Sequence, residues 1–297
     1  MTITGIGEIV LDIVLKQLQP QAAVPGGSTF NAMVSLGRTA GRDCPDIKLQ
    51  MVSQLGDDSL GDIIATFMQQ NHIGTDALVR VKGQSSIALA MLDEGNNASY
   101  EFFRDPNPPA FEVPELEFKK GDILLFGSFF AINPATRDQV RQLVRKAREA
   151  GALVYYDINF RKNHSAHDSL PQIEQNIALS DMVRGSSDDI AALYGTVDAA
   201  SVYQKHIAPL CKHFICTRGA RETEVFSPGI HSTYPVPQGA KVVSTIGAGD
   251  NFNAGSIYAL VKSKNFEWDT IVATAHRFSQ NVVASLYNYV DEDFIIT

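Results

Sequence analysis

Cysteine is scarce in this sequence, and no apolar run is long enough to cross a bilayer. The three cysteines, Cys44, Cys211 and Cys216, form neither an even set nor a Cys-x-x-Cys pair, which is typical of reduced thiols in a cytosolic protein. No basic segment precedes the first apolar run, and Glu8 and Asp12 interrupt that run, so we expect no signal peptide. The sequence therefore predicts a cytoplasmic protein that is not inserted in a membrane.

Positive charge is also in short supply, since 33 acidic residues against 25 Lys and Arg give a formal net charge of −8. This balance argues against a general affinity for nucleic acid or anionic membranes. Three motifs are missing as well: the P-loop pattern, a Cys/His cluster with zinc spacing, and the third glycine after Gly5-x-Gly7, where Val10 stands. P-loop hydrolases, zinc-site proteins and Rossmann dehydrogenases are therefore not expected.

The sequence does contain short apolar runs that alternate with amphipathic helical patterns, which is typical of an α/β fold with helices on both faces of a mainly parallel sheet. The predicted buried strands are residues 3–11, 49–54, 122–126, 152–157 and 213–217. Helices are predicted to begin after Ser28, after Thr136 and near Gly249, and the second of them is predicted to end at Gly151.

Two regions, residues 14–26 and 78–109, break this alternation. Within the second region, residues 86–92 and 98–104 predict two strands joined by a turn at residues 93–97. We interpret both regions as a small β-sheet that forms a lid.

The lid has two further implications. Four prolines in residues 106–114 predict a stiff loop that leads back to the main sheet, so the whole chain, residues 1–297, is expected to be one domain. The strand edges and apolar residues of a lid are surfaces that a second subunit can cover. A homodimer through the lid is therefore a separate hypothesis.

A glycine-rich turn, Thr245-Ile-Gly247-Ala248-Gly249, directly precedes Asp250 and a predicted helix. Free backbone N–H groups and the helix dipole at such a terminus hold a developing anion, and glycine lets a phosphate approach the backbone. Asp250 would then accept the proton of a hydroxyl that approaches the same phosphate. Taken alone, the segment is better explained as an ordinary turn in which Asp250 caps the helix.

Two companion motifs change this interpretation: Gly26-Gly27-Ser-Thr-Phe-Asn31 near the N-terminus and Gly7-Glu8-Ile-Val-Leu-Asp12 on the first predicted strand. Together with the Thr-x-Gly-Ala-Gly-Asp segment they resemble the ribokinase family, also called the PfkB carbohydrate kinases, over nearly the whole chain. The resemblance implies a ribokinase-like three-layer α/β sandwich and an ATP-dependent sugar kinase. Asp250 would be its general base, and residues 247–249 its anion hole.

The resemblance also implies that Asp12, Gly26, Gly27 and Asn31 bind sugar hydroxyls. Carboxylate and amide groups hydrogen-bond a polyol, and glycine lets the sugar ring approach the main chain. Without the companion motifs, Asp12 would be a turn residue at a strand end and Asn31 a helix-surface amide.

Asp157-Ile-Asn159-Phe-Arg161 follows a predicted strand, at the sheet edge where open α/β folds bind ligands. It resembles the family's Asp-x-Asn-x-Arg segment. The resemblance implies that Asp157 and Asn159 organise phosphate and the waters of a bound Mg²⁺, and that Arg161 neutralises the transferring phosphate. An ion pair between Asp157 and Arg161 is the alternative.

Arg184-Gly-Ser186-Ser-Asp188-Asp189 stands where the family often has Asn-x-x-Glu and its fructokinase-like branch often has Ser at the first position. The resemblance assigns Ser186 to the phosphate site and Asp189 to a water-mediated Mg²⁺ contact, with a carboxylate one methylene shorter. From the residues alone, Ser186 caps a helix whose dipole Asp188 and Asp189 favour. Both interpretations can hold together.

Three remaining positions concern the nucleotide and a cation. Thr217-Arg-Gly219 resembles the family's nucleotide-binding Thr-x-Gly-x-x-Gly turn, with Glu222 in place of the last glycine. Asn281 is assigned to the adenine pocket, with a surface amide as the alternative. Ser244 stands where many relatives have an aspartate that helps hold a monovalent cation, which leaves K⁺ activation open. These departures, together with Asp189, keep a catalytically inactive sugar- and nucleotide-binding protein as the rival from another class.

The segment Tyr100-Glu-Phe102-Phe103-Arg104 and the prolines after it resemble the lid of fructokinases, in which an arginine reaches over the substrate. Such a lid excludes water. Arg104 suits both a neutral ketose and the carboxylate of a sugar acid. Phe102 and Phe103 lie on opposite faces of a predicted strand, so one of them would line the sugar site and the other would pack the lid; the alternative is that both are core residues. Fructose ranks first as substrate, 2-keto-3-deoxygluconate second, and another sugar or nucleoside third.

Overall fold

The structure is a computed structural model that describes residues 1–93, 98–160, 166–239 and 241–296. The strands are β1 Thr2–Ile6, β2 Val10–Lys16, β3 Gln19–Gly26, β4 Lys48–Gly56, β5 Ile73–Gly74, β6 Leu78–Val81, β7 Ser86–Leu92, β8 Ala98–Phe103, β9 Ile123–Gly127, β10 Leu153–Asp157, β11 Met182–Ser186, β12 His213–Thr217, β13 Glu222–Ser227 and β14 Ile230–Pro235. The helices are α1 Ser28–Leu36, α2 Ser59–Gln70, α3 Arg137–Glu149, α4 Ala166–Ala178, α5 Ser187–Tyr194, α6 Ala199–Val202, α7 Ala248–Ser263 and α8 Trp268–Val283. Short π-helical turns, Gly37–Gly41 and Tyr203–Ile207, follow α1 and α6.

The chain divides into two compact units. One contains Met1–Ile6 and Glu115–Gln238, and the other contains Gly7–Pro114 and Gly239–Thr297. The residues predicted to bind sugar and to carry out catalysis all belong to the second unit, whereas the predicted nucleotide residues other than Asn281 belong to the first. The expectation of a single domain stays a prediction.

The first unit is built on a sheet with the strand order β14-β13-β12-β11-β10-β9-β1. Strands β1, β9, β10, β11 and β12 are parallel to one another, and β13 and β14 form an antiparallel edge. Every residue of β9 is buried, as expected for a strand covered by helices on its faces. This mainly parallel sheet is the one that the sequence predicts.

Helix α3 confirms the most strongly patterned prediction. It begins at Arg137, directly after Thr136, and buries one face that consists of Val140, Leu143, Val144 and Ala147. Gly151 has a φ of +79°, the left-handed conformation that ends a helix at little cost only for glycine. The next strand, β10, starts two residues later.

The prediction of one strand over residues 3–11 is wrong, because the chain leaves the first sheet after Ile6. The amide of Gly7 donates to the carbonyl of Val52 (3.2 Å), and β2 starts at Val10 in a different sheet. Asp12 is therefore on the second strand and not on the first. Both halves of the segment are apolar and β-forming, so periodicity could not detect the break between them.

The second unit contains a small sheet with the order β3-β2-β7-β8. Strand β2 runs antiparallel to β3 and parallel to β7, and β7 and β8 form the predicted antiparallel pair. The predicted joining turn at residues 93–97 falls, apart from Asp93, outside the described residues. Leu78–Val81, which the sequence placed in the lid region, pairs with β4 instead.

The small sheet is packed against the segment that carries the glycine-rich turn. Val14, Ala90 and Leu92 form an apolar cluster with Ile246, the residue that precedes Gly247. This burial removes apolar surface of both segments from water, which stabilises the position of the turn. The small sheet and the segment of the predicted anion hole therefore contribute to the same apolar cluster.

Helix α7 lies within the core of the second unit, packed between α1 and α8. Phe252, Ile257 and Val261 are buried, as predicted. Gly255 allows a close contact with α8, since a Cβ atom there would lie 2.6 Å from the Cα of Ala275. The tight helix pair holds the first turn of α7, and thus Asp250, in a fixed position.

Burial of His276 on α8 predicts a pH-dependent stability. The imidazole lies edge-on to Phe252 and is 5% exposed, and burial lowers its pKa to about 4. Because this imidazole takes up a proton at about pH 6.5 in the unfolded chain, the free energy of unfolding is highest above that pH and should fall by about 2.5 kcal/mol by pH 4.5. Urea titrations at a series of pH values measure this free energy. Below pH 6.5 it should fall less steeply with decreasing pH in His276→Gln than in the parent.

The exposed His72 provides the matched control for that titration. His72→Gln should keep the parent's dependence of unfolding free energy on pH, since it removes an exposed imidazole and leaves the buried His276 in place. If His276→Gln has the same dependence of unfolding free energy on pH as the parent, His276 is not the source of that dependence.

Candidate active site

Asp250 lies in the first turn of α7 and is 8% exposed. The turn before it is closed by hydrogen bonds from the amide of Asn251 to the carbonyl of Gly247 (2.9 Å) and from Ala248 to Thr245 (3.3 Å). The first amides of a helix have no carbonyl partner one turn earlier, and the helix dipole makes this end positive. The arrangement therefore offers an anion site next to a carboxylate.

Gly247 is required at this turn for two reasons. Its φ of +76° is in the left-handed region, and a Cβ atom would lie 2.6 Å from the carbonyl oxygen of Asn288. A side chain would therefore be strained and would also displace the backbone that it meets.

The predicted base is in contact with the predicted sugar-binding amide. Asn31, which is 3% exposed on α1, donates from Nδ2 to Oδ2 of Asp250 at 2.8 Å. The bond joins residues 219 positions apart in the chain. It orients the carboxylate of Asp250. The Oδ1 atom of Asn31 is buried and has no hydrogen-bond partner.

A second carboxylate–amide pair involves a residue that the sequence analysis missed. Asn288, which is fully buried, donates from Nδ2 to Oδ2 of Asp12 at 2.6 Å, and its own Oδ1 is buried without a partner. Gly26 makes room for this pair, because a Cβ atom there would lie 2.0 Å from the same oxygen of Asp12. Nothing in the sequence around Asn288 distinguishes it from an ordinary loop residue.

Asn251 connects the two pairs. Its Nδ2 donates to the carbonyl oxygens of Gly247 and Asn288, both at 2.8 Å, and its Oδ1 accepts a short hydrogen bond from Ser35. The hydroxyl of Ser35 also accepts from the amide of Val290 at 3.0 Å. The glycine turn, α1 and the chain around residue 288 are therefore held by one buried network.

The two pairs have a common chemical character. In each pair, the side-chain amide of an asparagine donates a hydrogen bond to a carboxylate. The amide oxygen of the same asparagine is buried and accepts no hydrogen bond. Leaving such an acceptor unsatisfied costs about 1–3 kcal/mol. Carboxylates and amide oxygens together accept hydrogen bonds from a ligand that is rich in hydroxyl groups. The chemistry suits a polyol.

Arg104, predicted to reach over the substrate, follows β8 and forms a two-point ion pair with Glu8. Its Nε and Nη2 donate to the two carboxylate oxygens of Glu8 at 2.6 and 2.7 Å. The guanidinium also lies 4.2 Å from the ring centroid of Phe102, whereas Phe103 on the opposite face is 53% exposed. Glu8 belongs to the motif that contains Gly7 and Asp12, but the sequence indicated no role for it.

In the first unit, Arg184 in the middle of β11 connects the ends of the two strands that pair with β11. It donates to Asp157 at the end of β10 (3.1 Å) and to the hydroxyl of Thr217 at the end of β12 (2.6 Å). Burial lowers the pKa of Arg184, but the carboxylates of Asp157 and Asp189 raise it more, so the net shift is upward. The predicted ion-pair alternative for Asp157 named Arg161, which lies outside the described residues.

Ser186 and Asp189 form a capping box at the start of α5. The hydroxyl of Ser186 accepts from the amide of Asp189 (3.1 Å), and Oδ2 of Asp189 accepts from the amide of Ser186 (2.6 Å). The other oxygen of Asp189 accepts from the amide of Phe160 (2.7 Å), beside Asn159, whose φ is +36°. The capping interpretation is thus seen directly, and the metal contact of Asp189 stays a prediction.

The remaining predicted residues lie as follows. Gly219 has a φ of +59° with open space around it, and Glu222 pairs with Arg218 at 3.4 Å. Asn281 exchanges two hydrogen bonds with Asp291, at 3.0 and 2.9 Å. Ser244 is buried, and its hydroxyl accepts from the amide of Ile246 (3.2 Å) ahead of the glycine turn. The adenine role of Asn281 stays a prediction.

Metal-binding groups, apolar helices and cysteines are as follows in the part of the chain that the structure describes. No group of three or more His, Cys, Asp or Glu among them is placed to hold a metal ion. Within the same ranges, every helix is too short or too polar to cross a membrane. All three cysteines are described and none forms a disulfide; burial raises the thiol pKa of Cys211 to about 11 and that of Cys216 to about 12.

Comparison with known protein families shows the family to which this chain belongs. The family described as pfkB family carbohydrate kinase matches residues 6–289. This chain belongs to the pfkB family of carbohydrate kinases. The resemblance drawn from the three sequence motifs is confirmed, and so is the assignment of the protein as an ATP-dependent carbohydrate kinase.

Relatives of this kinase include two activities. A fructokinase of Vibrio alginolyticus is 24% identical over 275 residues, which cover 91% of this chain and 87% of that protein. An aminoimidazole riboside kinase of Salmonella typhimurium is 25% identical over 271 residues, which cover 89% and 82%. Both alignments extend over most of either protein.

Solved structures show the same fold. Aminoimidazole riboside kinase from Salmonella enterica, complexed with aminoimidazole riboside and an ATP analog, has a TM-score of 0.85 at 21% identity and covers 99% of this chain and 97% of its own. Fructokinase from Vibrio cholerae, in a form with bound fructose, ADP and calcium, has a TM-score of 0.85 at 22% identity and covers 97% and 94%. The predicted ribokinase-like fold with its small lid sheet is confirmed.

Proposed function

We propose that this kinase transfers the γ-phosphoryl group of ATP to a hydroxyl of fructose, with Asp250 as the general base. The observation that carries the proposal is the pair of buried carboxylate–amide contacts, Asp250–Asn31 and Asp12–Asn288, beside the turn at Gly247. These groups combine an acceptor for a hydroxyl proton, acceptors for further hydroxyls and an anion site in one unit of the fold.

The chemical step follows from these roles. The proton of the attacking hydroxyl moves to Asp250 as the sugar oxygen bonds to the γ-phosphorus, and the bond from that phosphorus to the oxygen of the leaving ADP breaks. The amides of the glycine turn stabilise the charge that develops on the phosphoryl oxygens. Asn31 holds the base in position, and Asp12 with Asn288 holds the other sugar hydroxyls.

Asn159, Arg161, Ser186, Thr217, Gly219 and Asn281 are our candidates for the nucleotide site. Mg²⁺ fits beside them as an ion held through water. Asp157 already accepts from Arg184, and Asp189 accepts from two backbone amides, so both are better suited to orient metal-bound waters than to bind the metal directly. When bound with ATP, Mg²⁺ would neutralise phosphate charge. K⁺ is left out of the proposal, because Ser244 supplies no carboxylate.

The choice of fructose rests on fructokinases among the relatives at 24–27% identity. The similarity to aminoimidazole riboside kinases makes a riboside the second candidate. The environment of Phe102 favours fructose over a nucleoside, because its ring stacks with Tyr100 and is covered by the guanidinium of Arg104. A nucleoside base would need such a ring for stacking.

The test is ADP release from ATP and Mg²⁺ with a panel of fructose, ribose, tagatose, 2-keto-3-deoxygluconate, common nucleosides and aminoimidazole riboside. We expect fructose to give the highest kcat/KM. A higher value for a riboside would establish the second candidate. Absence of sugar-dependent ADP would favour an inactive sugar- and nucleotide-binding protein.

Replacing Asn288 by alanine should raise the KM for the sugar by about 10- to 100-fold, because a hydrogen bond to a buried carboxylate contributes about 1.5–3 kcal/mol. The turnover number should change less, since the Asn288 side chain contacts Asp12 and not Asp250. Initial rates against sugar concentration at saturating ATP measure both quantities.

The exposed Asn265 provides the control for that substitution. Asn265→Ala should behave as the parent. An Asn288→Ala enzyme with the parent's KM would exclude Asn288 from the sugar site.

We also infer that the small sheet forms a homodimer contact. Its outer strands are β3 and β8, and Phe103 on β8 is 53% exposed. Unpaired strand edges with exposed apolar side chains favour association with a second copy. A monomer mass by light scattering at assay concentrations would reject the dimer. The cytoplasmic location stays a prediction.

A further inference from the structure

The ion pair between Arg104 and Glu8 uses the two-point geometry of a guanidinium and a carboxylate. Both Glu8 oxygens are engaged, at 2.6 and 2.7 Å, by Nε and Nη2 of the same arginine. This fork is the geometry with which an arginine binds the carboxylate of a ligand. Glu8 therefore occupies the position on Arg104 that a substrate carboxylate would need.

The main chain of Glu8 is fixed against the proposed sugar site. Its carbonyl oxygen would lie 2.2 Å from a Cβ atom on Gly27, so only glycine at that position lets the two segments meet. Gly27 has a φ of +124°, and Gly26 beside it makes the close contact with Asp12. The residue before Glu8 is also held, because the amide of Gly7 donates a hydrogen bond to the carbonyl of Val52. Glu8 is thus held where the glycine pair and Arg104 meet.

We propose that Glu8 is a specificity-determining residue that restricts this kinase to neutral sugars by neutralising Arg104. The inference rests on the proposed function and specifies its substrate class. A sugar acid would have to displace Glu8 or accept its negative charge as a close neighbour, and like charges in contact disfavour binding. Asp12 and Asp250 add negative charge to the same proposed site. A neutral ketose meets no such repulsion.

The experiment compares fructose with 2-keto-3-deoxygluconate as substrates of the parent and of Glu8→Gln. Glutamine keeps the size of the side chain and removes its charge. It has only one side-chain oxygen, so it can accept from Nε or Nη2 of Arg104 but no longer from both. We expect kcat/KM for the sugar acid, relative to fructose, to rise by about 10- to 100-fold, the range of a hydrogen-bonded charge contact. The double variant Glu8→Gln/Arg104→Gln should lose this gain, since the acid then has no cation to bind.

Two further variants separate charge from local structure. Glu8→Asp keeps the negative charge on a shorter side chain and should keep the preference for fructose. Glu101→Gln removes an exposed carboxylate from β8 and should leave the ratio at the parent's value.

An unchanged ratio in Glu8→Gln, with fructose still phosphorylated, overturns the role of Glu8 and leaves the proposed function intact. If no variant phosphorylates any sugar, the proposed function fails. In that case the dissociation constants of the two sugars, measured by calorimetry, still decide the question. An acid affinity that Glu8→Gln does not increase overturns the inference.

Discussion

Replacing Asp250 by asparagine is expected to lower kcat by roughly two to four orders of magnitude, the usual contribution of a general base. Asparagine preserves the volume of this buried site, and its amide oxygen can still accept from Nδ2 of Asn31. It cannot, however, take a proton from the sugar hydroxyl. Sugar affinity, measured by calorimetry without nucleotide, should stay within a few-fold of the parent because Asp12 and Asn288 are untouched.

The control is another aspartate in the first turn of a helix. Asp269 has this position on α8 and is exposed. Asp269→Asn should retain the parent's kcat, which separates loss of the base from a change at any helix N-terminus. If Asp250→Asn keeps activity within a few-fold of the parent, Asp250 is not the base.

Replacing Gly247 by alanine should reduce kcat/KM by roughly 100-fold or more, since shifts of about 1 Å in a reacting geometry have effects of that size. The new Cβ atom would lie 2.6 Å from the carbonyl oxygen of Asn288 and 3.1 Å from its carbon. Relief of this contact must move either the anion turn or Asn288, and Asn288 holds Asp12. Steady-state kinetics for sugar and ATP measure the loss.

Gly195, which follows α5, is the matched control for backbone strain. Its φ of +69° is close to the +76° of Gly247, but a Cβ atom there would have open space. Both alanine variants should lose about 1–2 kcal/mol of stability from the left-handed conformation, seen as a lower Tm, and Gly247→Ala should lose more because its Cβ atom also meets the backbone of Asn288. Only Gly247→Ala should lose activity. Comparable activity in the two variants would contradict the anion-hole role of the turn.

Much of the fold could be predicted because it depends on local pattern. The strand over residues 213–217 was predicted at its observed bounds, and α3 begins and ends where its apolar face and Gly151 indicate. The error over residues 3–11 has the same origin. An apolar pattern reports that a segment is buried and extended, but it carries no information about the sheet that the segment joins.

The sequence by itself determined the family and the class of enzyme, because the glycine turn, the glycine pair and the residues Asp12, Asn31 and Asp250 are encoded in short contiguous motifs. Only the tertiary structure decided which side chains complete the site. Asn288 beside Asp12, Glu8 on Arg104 and Arg184 between Asp157 and Thr217 each pair residues that are distant in the chain. The motifs that contain Glu8 and Arg184 and the segment around Asn288 indicate none of these pairings, because a hydrogen bond between two distant side chains depends on their positions in space and on no feature of either segment alone.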